Sequence, residues 1–123
     1  MLTASLSTLM ALSLQAQADW SDFKEQTSKV ASPKAFESED LRLTAFMDVL
    51  FDYQMTESPS WATYVGYPGQ NARWADYSSS ADKRREAEAH EIQALFEKIE
   101  RAKLSEERHL DYDLLQRELA FDI

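Results

Sequence analysis

The sequence contains no cysteine, only two glycines and only three prolines in 123 residues. Without cysteine no disulfide can staple the chain, so its stability has to come from packing. A lipid anchor built on a cysteine thiol is excluded as well. So few glycines and prolines leave few places for tight turns, which disfavours a many-stranded fold and favours long helices. Basic residues are also scarce: 13 Lys and Arg stand against 22 Asp and Glu, a net charge of −9. Nucleic-acid binders need clustered cations to track phosphates, so no nucleic-acid partner is expected. The same acidity repels anionic membranes and keeps the chain soluble. Lys83-Arg84-Arg85 is the one basic run, and it reads as a solvated helix face.

What remains is a globular balance, 44% hydrophobic and 28% charged, sufficient for one small domain. No internal repeat is visible. The expected fold class is all-α: a helical bundle fragment of three main helices and one short helix.

Residues 1–18 contain no charged residue and no histidine. Leu2, Leu6, Leu9, Met10, Leu12 and Leu14 give an apolar stretch shorter than the about 20 residues of a membrane span. It ends in Ala16-Gln17-Ala18, the small-x-small pattern that signal peptidase accepts, directly before Asp19. Residues 1–18 are therefore read as a signal peptide, although the usual positive n-region is missing. Export to the periplasm or beyond follows, without stable membrane insertion. Residues 19–37 mix Lys, Ser, Ala and acids around Pro33 with no sustained period, and read as a flexible linker.

Residues 38–123 carry the helical signals. Ser38 is a natural N-cap, with Glu39 and Asp40 where the helix dipole favours anions, and Ser58-Pro59 ends the helix. Leu43, Phe46, Met47, Leu50 and Tyr53 share one side, opposite Thr44, Asp48 and Asp52. A short helix over residues 59–65 has Pro59 in its first position and Gly66 just past its end, with Trp61, Ala62 and Val65 packing inward. A second long helix is predicted from Ser79 or Ser80 to Ala102, with Ile92, Leu95, Phe96, Ile99 and Ala102 as its stripe. A third, capped by Ser105, carries Leu110, Leu114 and Phe121 on one face and Tyr112, Leu115 and Leu119 on nearly the other. A helix apolar on both flanks is normally sandwiched between partners. With no stop signal at Asp122-Ile123, the domain is expected to be cut short, its missing neighbours lying in a further part of its own chain.

Motifs for chemistry are weak. His90-Glu91 begins like the zinc motif His-Glu-x-x-His, but Ala94 stands where the second histidine belongs, and one imidazole cannot hold a metal alone. Glu86 with His90 and His109 with Asp113 have one-turn spacing, as chance allows in so acidic a chain. Asp113 with Arg117 and Glu97 with Arg101 read as surface ion pairs, and Arg84 with Glu88 as a partly buried one. There is no nucleophile elbow, thiol or phosphate loop. No catalytic residue and no metal ligand is assigned. The candidates left are Trp61, Tyr64, Tyr67, Trp74 and Tyr77, close together in a stretch poor in regular structure. They either pin a loop to the helices or rim a substrate cleft for sugars or peptides.

The order of several motifs then matters. Phe46 and Phe51-Asp52 are followed by Ser58-Pro59-x-x-Ala62-Thr63-x-x-Gly66-Tyr67-Pro68-Gly69 and Asn71-x-Arg73-Trp74. Leu104-Ser105-x-Glu107 and Leu110-x-Tyr112-Asp113-Leu114 close the series. Over residues 40–121 this resembles the N-terminal region of the bacterial domain-of-unknown-function 885 family, secreted zinc-metallopeptidase-like proteins. The resemblance implies a mainly helical, longer parent. Its zinc site would use a His-Glu pair followed by Pro-Gly-His, downstream of the stretch matched here, so no family ligand maps onto these residues. Zinc is expected in the parent and no cofactor in this stretch. The resemblance thus implies a non-catalytic helical piece of an exported peptidase or hydrolase, with a peptide as substrate. Two alternatives carry no enzymatic activity: a small periplasmic helical binding or interaction module, and a carbohydrate-binding domain using the aromatic stretch.

Overall fold

A computed structural model describes residues 21–121, which form five α-helices and two short 3₁₀ turns with no strand. The signal peptide assigned to residues 1–18, Trp20 and the chain end at Asp122-Ile123 lie outside the described residues. The helices are α1 (Ser21–Val30), α2 (Glu39–Glu57), α3 (Pro59–Tyr64), α4 (Ser79–Phe96) and α5 (Glu106–Phe121).

Helix α2 begins as its sequence dictates: the Ser38 hydroxyl accepts the Leu41 N–H at 3.2 Å, with Glu39 and Asp40 in the first turn. It hands over at Ser58 to Pro59, whose missing N–H costs nothing at the start of α3. A Schellman closure ends α3, the Tyr67 N–H reaching the Ala62 carbonyl at 2.8 Å and the Gly66 N–H that of Thr63 at 3.2 Å. Gly66 sits at φ 80°, a conformation in which a Cβ would be strained. Helix α4 starts at Ser79, within the predicted range, and is capped by Ser78, whose hydroxyl accepts the Ala81 N–H at 3.2 Å.

The core is one cluster. Phe46 of α2 meets Phe96 of α4 at 5.4 Å between ring centroids, and Phe96 stacks on Tyr112 of α5 at 4.6 Å. Leu43, Leu50, Ile92, Leu95, Ile99, Leu104, Leu115 and Leu119 fill around them.

The expected flexible linker at 19–37 is corrected from Ser21 onward. Phe23, Thr27 and Val30 recur at i, i+4 and i+7, and α1 buries all three against the bundle. Phe23 lies 5.0 Å from the Tyr53 ring, and Lys24 pairs with Glu91 of α4 at 2.8 Å.

A second correction concerns the end of α4, which stops at Phe96 rather than Ala102. Side chains of α2 take the backbone groups needed to continue it. Arg42, 1% exposed, donates to the carbonyls of Val30 (2.8 Å) and Lys98 (3.0 Å), while Glu39 accepts the Glu100 N–H at 2.7 Å. Ile99 still enters the core, but Ala102 stays in solvent.

Helix α5 buries one of its two apolar faces. Tyr112, Leu115 and Leu119 pack inward, and Leu110 and Leu114 face water. Its start is moored by the Asp40 carboxylate, which accepts the Ser105 N–H at 2.9 Å and is held below the usual carboxylate range by those Ser105 bonds.

Candidate functional site

The five aromatic candidates divide sharply in the structure. Tyr67 alone is pinned: its ring meets Phe51 edge-on at 5.8 Å and its hydroxyl donates to Asp52 at 2.7 Å. Burial, then the Asp52 bond, pushes its phenol up to about 12. Trp61 and Tyr64 stack on each other at 5.3 Å but remain largely in solvent. Trp74 and Tyr77 are 87% and 85% exposed. The expectation that Trp61 and Val65 pack inward is therefore corrected, since α3 buries only Pro59 and Ala62. A six-residue helix has one inward edge, and those two residues occupy it.

Trp61 and Tyr77 line one open groove of about 530 Å³ between α3 and the start of α4. Its other walls come from Glu57 to Ser60, Ala75, Asp82 and Arg85. Tyr64, Tyr67 and Trp74 do not line it, so the structure brings together two of the five.

Beneath the groove lies a polar network that joins α2 to α4. The predicted Arg84–Glu88 pair is present at 2.6 Å, and Arg84 also reaches Glu57 at 2.6 Å. Arg85 takes the second Glu57 oxygen at 3.0 Å, the Asp76 carbonyl at 2.7 Å, and the Asp82 carboxylate. The Tyr53 hydroxyl donates to Glu88 at 3.0 Å; burial first, then the Glu88 charge, raises its phenol far above the ordinary value. The Lys83-Arg84-Arg85 run is thus no uniform solvated face: its two arginines turn toward Glu57, and Lys83 faces water. Sequence reading missed Glu57 as the hub, because a carboxylate in the last turn of a helix looks unremarkable until α4 is placed beside it.

The loop that carries Trp74 is tied down through Arg73, which donates to the Thr56 carbonyl at 3.0 Å and to the Gln70 side chain. Asp76 in turn accepts the Ser78 N–H at 2.9 Å, fixing the approach to α4.

Other candidates do not converge. His90 and Glu86 are both exposed on α4. Arg101 pairs with Asp113 across the α4–α5 connection, both bonds at 2.8 Å, in place of the expected Glu97 partner. Among the described residues no group of three or more His, Cys, Asp or Glu is arranged to hold a metal ion. No helix among them is long and apolar enough to cross a membrane.

Residues 59–123 match the family described as bacterial protein of unknown function (DUF885). The chain belongs to that family. No curated protein and no solved structure matches it. The DUF885 match opens at Pro59, so it takes in α3, the aromatic stretch, α4 and α5, and with them most of the groove.

Proposed function

We propose that this DUF885 chain is the non-catalytic helical part of a larger exported hydrolase of the zinc-peptidase type, and that its groove forms part of the surface on which a peptide substrate lies. One observation carries the reading. Trp61, Tyr64, Trp74 and Tyr77 stand in water within the family-matched stretch, and two of them wall a groove. Large rings left outside a core signal a surface that meets something. The described residues offer zinc no convergent ligand set, so no chemical step is assigned to them; binding and orienting are what they provide.

Sequencing past codon 123 tests the proposal, which expects a His-Glu pair followed by Pro-Gly-His in the same frame. A stop codon at that point ends it. In the longer protein, Trp61→Ala should raise KM for a peptide while leaving kcat unchanged, because a ring remote from the reacting atoms contributes uniform binding.

A second reading, a small periplasmic interaction module, draws on a different observation: Leu110 and Leu114 leave an apolar edge of α5 uncovered. Sedimentation velocity separates the two. A defined oligomer of the chain, dispersed by Leu114→Glu, would favour the module.

A further inference from the structure

Three charged side chains line the groove beside α3, and their signs do not balance: Glu57 and Asp82 stand against Arg85. The excess sits in one place. Glu57 has both oxygens taken, one by Arg84 at 2.6 Å and the other by Arg85 at 3.0 Å. Arg84 also meets Glu88 at 2.6 Å, so this inner layer pairs two guanidiniums with two carboxylates. Arg73 and Asp76, the next charges along the loop, again carry one of each sign. Asp82 is left over. Arg85 holds one of its oxygens, the other meets no donor among the described residues, and the side chain is 66% exposed.

An anion finds little here, because Arg85 is already committed to Glu57, Asp82 and the Asp76 carbonyl. A cation gains twice. The second Asp82 oxygen can accept from it, and the ring faces of Trp61 and Tyr77 attract it through their quadrupoles. Tyr64 stacks on one face of Trp61 at 5.3 Å without lining the groove, which leaves the other face for a guest. The openness of the groove helps as well. With Tyr77 85% exposed, an ammonium or guanidinium head keeps much of its water while its methylene stem lies along the rings. The net charge of −9 favours the approach of such a guest.

We infer that this groove takes the lysine or arginine side chain of an extended peptide in preference to an uncharged or acidic one, an inference that rests on the peptide-binding reading above.

The test is a titration of the ¹⁵N-labelled full chain, followed through the Trp61 indole cross-peak. The ligands are end-blocked peptides Ala-Ala-X-Ala-Ala, where X is Lys, Arg, norleucine or Glu. Norleucine keeps the lysine stem without its ammonium. Lys and Arg should bind about three- to tenfold more tightly than norleucine at low salt, the combined scale of an exposed ion pair and a cation–π contact. Glu should bind more weakly than norleucine. Raising NaCl to about 0.5 M should shrink the gap between Lys and norleucine, because exposed charges are then screened. Asp82→Asn should remove most of that gap and leave norleucine binding where it was. Tyr77→Ala should weaken Lys and Arg severalfold, and Trp74→Ala, off the groove, should change nothing. Circular dichroism checks that each variant keeps its helices, and the salt dependence of the unaltered chain carries the test if one does not.

Norleucine binding as tightly as Lys, tighter binding of Glu, or a gap that neither salt nor Asp82→Asn reduces overturns the inference and leaves the groove a peptide surface. No shift with any of the four peptides overturns it together with that peptide-binding reading. The reading of the parent as a hydrolase stands or falls separately, on the codons beyond 123.

Discussion

Two sets of aromatic residues in one small fold meet opposite fates. Phe23, Phe46, Phe96 and Tyr112 come from four different helices and are buried against one another. Trp61, Tyr64, Trp74 and Tyr77, all within one short stretch, stay in water. Hydrophobicity does not separate the sets, since a tryptophan offers as much apolar area as any residue. Geometry does. Long helices can turn a ring toward a neighbour at every turn, whereas α3 has room for two inward residues and the loop after it lies on the outside. The bundle uses its rings for stability, and the rings of the α3 region contribute little to it; recognition is the role proposed for them.

The sharpest way to break this contrast is to delete one ring from each set. Phe96→Ala should cost about 3–5 kcal/mol, because the ring touches both Phe46 and Tyr112 and leaves a cavity. Trp74→Ala should change stability by no more than about 0.5 kcal/mol. Urea unfolding followed by circular dichroism compares them, and a Trp74 variant as damaged as the Phe96 variant would erase the distinction.

Next in size is the polar clasp on the bundle side. Arg42 is fully buried and ties α1, α2 and the turn after α4 through the carbonyls of Val30 and Lys98 and the Glu39 carboxylate. Removing it strands those acceptors without water, so Arg42→Ala should cost about 3 kcal/mol. Arg73, the corresponding tie in the aromatic stretch, is only half-buried, and Arg73→Ala should cost clearly less in the same unfolding experiment.

How far the sequence revealed this division depends on which signal was strong. Ser38, Ser58-Pro59 and Gly66 placed the ends of α2 and α3 almost to the residue, because capping chemistry is local and the structure uses it. The apolar stripes of α2, α4 and α5 were legible for the same reason. Helix α1 was not: its inward face is Phe23, Thr27 and Val30, and a threonine in the middle hides the period. The early stop of α4 was hidden too, since it is imposed by Arg42 and Glu39 from more than fifty residues away. At the candidate site the aromatic cluster was visible, but which rings share a groove was not. That depends on α4 lying against Glu57, a long-range fact with no local motif.

The α1 correction has its own measurement. A tether would tolerate truncation of any side chain, whereas Val30 is 1% exposed and sits in the core. Removing its two methyl groups in Val30→Ala should cost about 2 kcal/mol. An unfolding curve that coincides with wild type would return residues 21–37 to the status of a linker.

The smallest effect concerns Tyr67, the one ring of the aromatic stretch that behaves like a core residue. Tyr67→Phe keeps the edge-on contact with Phe51 and loses only the 2.7 Å bond to Asp52, so near neutral pH it should cost no more than about 1 kcal/mol. Its signature is alkaline. The folded phenol sits near about 12 against an ordinary 10.0, so the fold favours the protonated form. That stability is complete below pH 10 and is lost as pH climbs from there through about 12. Tyr53, raised in the same direction, keeps its share in the variant. Between those pH values Tyr67→Phe should therefore lose stability less steeply than wild type, and the gap between their melting temperatures should narrow. Parallel melting curves across that range would show the Asp52 bond to be too loose in water to favour one protonation state. Tyr67 would then join the unpinned rings around it.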